Sequence, residues 1–186
     1  MALILDQSYY GSDDDYFELR YGADYTKGGV QFIPTVTANV GKVTLRLQKE
    51  GTPSGNVWVE LWTDNGTGEP ISEVGQSNNV ACSGISSVAL SDVDFAWGTT
   101  YQRVAGNKYW YIFNGDYAES TSANIHWSID NTTPSYPSTL YGRVRYATSV
   151  WTGQVAGNSQ CFNFKEYYDD TTIVVSTAKG MPLLIY

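Results

Sequence analysis

Two tryptophans are spaced so that a β-strand would display both on the same face. In the segment NVWVELW (56–62), Trp58 and Trp62 alternate with valine and leucine and share their face with Asn56 and Glu60. At about 3.3 Å per residue, the two indole rings would lie about 13 Å apart. Flat rings can stack on the CH groups of a pyranose, while amide and carboxylate groups bind its hydroxyls. The pattern indicates a candidate carbohydrate-binding surface. The favoured alternative is that the N-terminal segment or a neighbouring subunit covers this face.

A glycine-rich loop follows this strand and offers oxygen ligands. The sequence TDNGTGEP (63–70) contains Asp64, Asn65 and Glu69, and carboxylate and amide oxygens are the ligands that calcium prefers. The spacing does not match an EF-hand loop, and Asn-Gly is a good hairpin turn. A plain turn is therefore the favoured interpretation, and a structural calcium is the alternative.

A third pattern is the segment NIHWSID, in which His126 alternates onto the same side as Ser128 and Asp130. These residue types make up a hydrolase triad, but a triad needs a continuous chain of hydrogen bonds. Neighbours on one face of a strand are about 6.6 Å apart, and no nucleophile-elbow sequence is present. No acidic pair stands in a recognisable context for glycoside cleavage. We therefore predict that the protein is not an enzyme.

Composition and charge exclude several other classes of function. The chain of 186 residues has the length of one domain, and its 11 basic and 19 acidic residues give a net charge of -8. A negative protein repels a phosphate backbone, so we expect no nucleic acid as a partner. The start, MALILDQSYY, lacks the basic region and cleavage site of a signal peptide. No segment reaches the roughly 18 consecutive apolar residues of a membrane span.

Cysteine and histidine are too few for the usual zinc sites. The chain has two cysteines, no CxxC pair and one histidine, which excludes the common Cys/His arrangements. Cys82 and Cys161 are interpreted as buried free thiols, with a disulfide as the alternative. We predict no cofactor apart from the structural calcium considered above.

Short alternating segments recur along the chain, and clusters of turn residues separate them. The strand candidates are LILDQSY, YFELRYG, VQFI (30–33), KVTLRLQ (42–48), NVWVELW (56–62), VDFAW (93–97), KYWYIF (108–113), ANIHWSI (123–129), GRVRYA (142–147) and CFNFKEYY (161–168). KVTLRLQ and NVWVELW are expected to pair as a hairpin across the turn EGTPSGN. KYWYIF is apolar on both faces, which is typical of a central strand covered on both sides or of one half-covered by neighbouring loops. The pattern predicts an all-β, two-sheet antiparallel sandwich, with a closed barrel as the alternative.

The order of several longer pieces carries a resemblance to a known family. These pieces are VQFIP, KVTLRLQKEGTPSGNVWVELWTDNGTGEP, VAGNKYWYIFNGDYAESTSANIHWSIDNTTPSYP and CFNFKEYY. Together they resemble the jelly-roll β-sandwich domains of tailed-bacteriophage virion and tail proteins and of anchored bacterial surface proteins. The resemblance implies a jelly-roll scaffold and a virion setting, and it implies no reaction. It spans roughly residues 4–168, and the segment after Tyr168 has no counterpart in the family. We therefore expect a sandwich domain at 1–170 and a C-terminal extension at 171–186.

The resemblance implies a structural function on the outside of a phage particle. We expect a non-enzymatic capsid decoration (cement) or fibre-associated protein that works through contacts with other virion proteins and through homo-oligomerisation. The C-terminal extension would be an assembly arm or an extra strand. The expected contact residues lie in two tyrosine-containing loops and in this extension: Tyr117, Tyr136, Met181, Leu183, Leu184, Ile185 and Tyr186. The alternative is a carbohydrate-binding module that uses Trp58 and Trp62.

Overall fold

The computed structural model describes residues 2–19, 26–117, 122–132, 136–137, 139–147, 150–155 and 160–170. Its strands are β1 (Leu3–Tyr9), β2 (Asp15–Leu19), β3 (Lys27–Phe32), β4 (Ala38–Glu50), β5 (Asn56–Asp64), β6 (Pro70–Gln76), β7 (Val80–Ala81), β8 (Ser91–Ala96), β9 (Gln102–Arg103), β10 (Tyr109–Gly115), β11 (Asn124–Asp130), β12 (Tyr141–Ala147), β13 (Val150–Val155), β14 (Cys161–Phe162) and β15 (Phe164–Asp169). A 3₁₀ turn spans Cys82–Gly84. Within these ranges, no helix has the length and apolar character that crossing a membrane requires.

The strands form two sheets, and all of their pairings are antiparallel. Sheet A has the order β1-β15-β4-β11-β14, with β2 beside β11 and with β8 and β9 beside β4. Sheet B has the order β13-β12-β3-β10-β5-β6, with β7 beside β5. The chain changes sheet repeatedly, for example from β3 to β4 and from β4 to β5. The predicted two-sheet antiparallel sandwich is therefore confirmed.

The predicted hairpin between KVTLRLQ and NVWVELW is wrong. β4 lies in sheet A and β5 lies in sheet B, so the turn between them connects the two sheets. Both strands carry an alternating set of fully buried aliphatic residues, which are Val43, Leu45 and Leu47 in β4 and Val57, Val59 and Leu61 in β5. Because each apolar face packs inward against the other sheet, the alternation specified the buried face of each strand but not its neighbour.

Strand β10 lies in the middle of sheet B and is covered on both faces. It pairs with β3 on one side and with β5 on the other. Tyr111 and Phe113 point into the core between the sheets, where Tyr111 stacks on Phe32 at 4.2 Å between ring centroids. Trp110 and Ile112 point to the opposite face and are also 0% exposed. The prediction of a central strand covered on both sides is confirmed.

Two expected contact residues belong to the core instead. Tyr117 is fully buried, and its hydroxyl donates to the carbonyl of Leu19. Tyr136 is 7% exposed, and its hydroxyl donates to the carbonyl of Gln31 at 2.5 Å. The expectation of an assembly surface at these tyrosines is therefore wrong, because both rings fill space inside the sandwich. The other expected contacts lie outside the described residues, as does the extension at 171–186: Met181, Leu183, Leu184, Ile185 and Tyr186.

The two cysteines are separate thiols buried in the core, as the favoured interpretation held. Cys82 begins the 3₁₀ turn, and Cys161 begins β14. Burial raises the pKa of the Cys82 thiol to about 11 and also raises the pKa of Cys161. Both sulfurs are therefore protonated and unreactive in the folded chain at neutral pH.

A buried ion cluster joins β1, β9 and β15. The Arg103 side chain is 0% exposed, and its Nη1 lies 2.9 Å from Oδ2 of Asp6. Its Nε lies 2.6 Å from Oε1 of Glu166, which also accepts a hydrogen bond of 2.9 Å from the Tyr111 hydroxyl. Burial raises the pKa of Glu166 to about 7, against the lowering effect of Arg103.

Candidate binding face

The outer surface of sheet B has an apolar floor. Trp110 and Ile112 of β10 and Val144 of β12 form a cluster separate from the main core, and each is at most 1% exposed. Gly29 of β3 lies between these strands, opposite both Ile112 and Val144. A sheet face that faced water directly would leave such residues exposed. Other side chains of this chain must therefore lie over them.

A layer of half-buried aromatic rings covers this floor. We call this layer, together with Trp58, the aromatic face; it consists of Trp58, Trp62, Tyr141, Tyr146 and Trp151. Trp62 and Trp151 meet edge to face at 6.1 Å between ring centroids, and Tyr146 lies 4.9 Å from Trp151. Tyr141 lies 5.8 Å from Trp110. The aromatic face therefore crosses sheet B from β5 to β13.

Glu60 fixes the two tryptophans of β5. Its Oε1 accepts from Trp58 Nε1 at 2.9 Å and from Asn114 Nδ2 at 2.7 Å. Its Oε2 accepts from Trp62 Nε1 at 2.8 Å and from the ammonium of Lys27, also at 2.8 Å. Burial alone would raise the pKa of Glu60, but the hydrogen bonds from Asn114, Lys27 and Trp58 outweigh it and hold the pKa below its usual range.

The carboxylate of Glu60 is therefore a positioning group for the rings. Its side chain is 4% exposed, and both oxygens already accept two hydrogen bonds. Lys27 also sits 5.1 Å from the centroid of the Trp62 ring, a distance suited to a cation–π contact. The sequence placed Trp58, Trp62, Glu60 and Asn56 on one face, and the structure brings the first three into direct contact.

Two other polar groups on this side of the sheet remain more accessible. Asn56 is half-buried at the start of β5, and its backbone N–H donates to Asp116. Glu73 of β6 lies directly opposite Trp62 and is exposed. Partial burial and the charge of Glu60 raise the pKa of Glu73 above its usual value. Glu73 is a carboxylate beside an aromatic ring that sequence reasoning did not identify.

The loop after β5 is held by its own hydrogen bonds. Asp64 Oδ2 accepts from Gln31 Nε2 at 2.5 Å and from Trp110 Nε1 at 2.8 Å, while Oδ1 accepts from the N–H of Gly66 at 2.7 Å. Asn65 Oδ1 accepts from the N–H groups of Thr67 and Glu69. These bonds explain a well-formed turn, and the calcium site proposed for Asp64, Asn65 and Glu69 stays a prediction.

A cleft opens beside this loop. Its volume is about 430 Å³. It is lined by Thr63, Asp64 and Gly66 at the end of β5 and by residues 106–109 at the start of β10. Gly66 and Gly106 adopt positive φ angles of 85° and 80°, which glycine accepts without strain. The cleft borders Asp64, whose bond to Trp110 ties it to the floor of the aromatic face.

The residues of the hypothetical triad do not meet. Ser128 donates to Asp13 at 2.5 Å, and Asp130 accepts from the Tyr9 hydroxyl at 2.5 Å. His126 Nε2 has no hydrogen-bond partner and faces Glu18 and Glu50 instead. The hydrogen-bond chain of a serine hydrolase is therefore not formed by these three residues.

Several residues of the site escaped sequence reasoning because they come from distant parts of the chain. Lys27, Asn114, Tyr146 and Trp151 lie on four different strands, and they are brought together by the pairing of β12 with β3 and β13 and of β10 with β3 and β5. The one local signal was the alternation around the β12–β13 hairpin, which places Tyr146 opposite Trp151.

Comparison of the chain with models of known protein families gave no match, and comparison with curated protein sequences gave none that was significant. The class that the described residues define is thus an antiparallel β-sandwich with one aromatic outer face. The resemblance to phage jelly-roll domains stays an expectation from sequence.

Proposed function

We propose that the protein is a non-enzymatic binding domain that holds a neutral glycan on the aromatic face. The observation that carries this proposal is that the Glu60 carboxylate accepts a hydrogen bond from the indole of each tryptophan. The distance from Nε1 is 2.9 Å for Trp58 and 2.8 Å for Trp62, and these bonds fix both rings. Rings held in place before binding lose little conformational entropy when a ligand arrives. Sugar recognition on flat protein surfaces relies on such rings for contact area.

Polar groups beside the rings fit the hydroxyls of a sugar. Lys27 keeps a fifth of its side chain exposed, and Glu73 is exposed next to Trp62. The Lys27 ammonium offers hydrogen-bond donors and the Glu73 carboxylate offers an acceptor, on either side of the Trp62 ring. Because Lys27 and Glu60 neutralise each other, the centre of the face carries no net charge. A neutral oligosaccharide therefore fits it better than an acidic one.

The affinity should be weak because the face is open. An open site buries less of a ligand than a deep pocket does, and we expect dissociation constants from about 1 mM to about 1 μM. Isothermal titration with neutral oligosaccharides, selected first on a glycan array, measures this. The variant Trp62→Ala should abolish binding, and Trp58→Ala should weaken it.

The matched control is Tyr167→Ala, which removes a half-buried ring from the outer face of sheet A, where Lys42 lies 4.4 Å from its centroid. This variant should bind glycan like the unmodified protein. Binding that survives Trp62→Ala would refute the proposal, as would a complete lack of binding across the array.

We propose assembly on the exterior of a virion as a second function, which is compatible with the first. Its support is the exposure of three consecutive aliphatic residues on β1: Leu3 at 44%, Ile4 at 39% and Leu5 at 49%. Among the described strands, β1 ends the order of sheet A and pairs with β15 alone. Edge strands with exposed apolar residues are common sites of contact between chains.

This assembly predicts a defined homo-oligomer or a complex with another virion protein. Size-exclusion chromatography with light scattering tests the first case. The double change Leu3→Ser and Leu5→Ser should dissociate the oligomer, whereas Ile71→Ser, which alters an aliphatic residue that is 62% exposed on β6, should leave it intact. A monomer that also fails to bind purified phage particles would exclude this function.

A further inference from the structure

The outer face of sheet A brings together one histidine and two glutamates from three strands. β11 runs between β2 and β4, and Glu18 of β2 lies directly opposite His126 of β11. Glu50 of β4 lies opposite Asn124, two residues along β11 and therefore on the same face. Neither glutamate is near His126 in the sequence, so no local motif predicts that the three residues meet.

The distances within this group suit a shared ion better than direct hydrogen bonds. His126 Nε2 lies 3.5 Å from a carboxylate oxygen of Glu50 and 3.7 Å from one of Glu18. Direct hydrogen bonds of this type measure about 2.7–3.2 Å. Nitrogen and oxygen ligands on a tetrahedral zinc, with bonds of about 2.0–2.2 Å, are about 3.4 Å apart. All three candidate ligand atoms lie within 4.8 Å of one another.

The imidazole is buried with one nitrogen lacking a partner. His126 is 8% exposed, and its Nε2 makes no hydrogen bond. A buried polar atom without a partner costs free energy that a ligand would recover. Tyr16 stacks on the ring at 4.1 Å and 11° between planes, which fixes its orientation. The unpaired nitrogen thus points in one direction, toward the two carboxylates.

We propose that His126, Glu18 and Glu50 bind a divalent transition-metal ion, of which zinc is the representative. An imidazole nitrogen favours zinc, copper or nickel over calcium and magnesium, which prefer oxygen ligands alone. Two carboxylates balance the double positive charge, and water completes the coordination. The Glu50 side chain is 55% exposed and the Glu18 side chain 25%, so both can close on the ion.

A bound ion would tie β2, β4 and β11 together, which makes the site a structural clamp on sheet A and separates it from the aromatic face on sheet B.

Isothermal titration of the full chain with zinc tests the proposal. We expect one ion per chain, with calcium and magnesium failing to compete. Glu50→Gln should weaken binding by at least about tenfold, and so should His126→Gln. The matched control is Glu73→Gln, which removes an exposed carboxylate from sheet B and should leave the zinc affinity within about twofold.

Nuclear magnetic resonance of the imidazole gives a second readout, since His126 is the only histidine in the chain. Zinc should shift Nε2 far more than Nδ1 in the unmodified protein. If His126→Gln does not fold, Glu50→Gln decides the question, because its side chain is largely in water. Zinc affinity that Glu50→Gln leaves unchanged would overturn the proposal, as would a dissociation constant weaker than about 1 mM.

Discussion

Glu60 and Glu166 are both buried carboxylates, and their surroundings give them opposite acidities. Glu60 accepts four hydrogen bonds, from Trp58, Asn114, Trp62 and Lys27, so its ionised form is favoured and its pKa is lowered. Glu166 lies deeper, and the cost of burying its charge outweighs the attraction of Arg103, so its pKa rises to about 7. The balance between hydrogen-bond donors and the cost of burial therefore decides which carboxylate stays charged.

The raised pKa of Glu166 predicts a pH dependence of stability. A glutamate in the unfolded chain has a pKa of about 4.3, so the folded chain holds the proton of the Glu166 carboxyl more tightly. The stabilisation of the fold that comes from the Glu166 proton is complete below about pH 4.3 and is lost as the pH rises toward about 7. Relative to Glu166→Gln, the unmodified protein should lose up to about 3 kcal/mol of unfolding free energy over this window.

Urea unfolding of both proteins at several pH values measures that difference. The lowered pKa of His126 acts in the opposite direction, but it is common to both proteins and cancels. A difference in unfolding free energy that stays constant between pH 4.5 and pH 7 would contradict the assignment.

Most strands were predicted from a local pattern, either one alternating face or a run that is apolar on both faces. NVWVELW (56–62) matches β5 (Asn56–Asp64), and ANIHWSI (123–129) matches β11 (Asn124–Asp130). β6 and β13 were missed, since PISEVGQ opens with proline and VWTGQV is short with a central glycine. Trp58, Glu60 and Trp62 were placed on one face for the same local reason. Their partner Trp151 was not, because strand pairing is not encoded locally.

The close packing around Gly29 of β3 predicts that adding a single methyl group there disturbs the aromatic face. A Cβ added there would lie 2.4 Å from Cδ1 of Ile112 and 2.9 Å from the Tyr111 carbonyl oxygen. Because the carbonyl belongs to the adjacent strand, β3 and β10 would have to separate slightly. Gly29→Ala should lower the free energy of unfolding by about 1–3 kcal/mol and weaken any glycan binding.

The matched control for this change is Gly84→Ala, because a Cβ at Gly84 meets no atom within 4 Å. It should alter stability by less than about 0.5 kcal/mol. Chemical denaturation of the two variants compares them directly, and equal stability would show that the floor of the aromatic face adapts to the extra volume.

The whole sandwich presents two different outer faces to its surroundings. Sheet A displays ion pairs such as Lys42 with Asp94 and Arg46 with Asp13, whereas sheet B displays the aromatic face. Surface ion pairs add little stability, so most of the free energy of folding comes from the shared apolar core. Both cysteines lie in that core, and they report on its opening.

The burial of both cysteines therefore predicts that thiol labelling will follow the cooperative unfolding of the whole domain. Cys82 and Cys161 are each 0% exposed, and the pKa of each is raised. Under native conditions both should react with a thiol reagent only through global unfolding, at equal rates that rise together with denaturant. Mass spectrometry of each peptide measures the two rates. Faster labelling of Cys82 would reveal local opening of the 3₁₀ turn.

Strand β10 has no side chain that faces water between Tyr109 and Phe113, since none of these five is more than 7% exposed. β4 differs, because its half-buried Arg46 and Gln48 alternate with buried leucines. Saturation mutagenesis should therefore give two distinct signatures. Charged substitutions should be depleted at alternate positions of β4 from Leu45 to Gln48 but at all five consecutive positions of β10. Substitutions should consequently accumulate most slowly along β10, although its sequence lacks the alternation of an amphipathic strand.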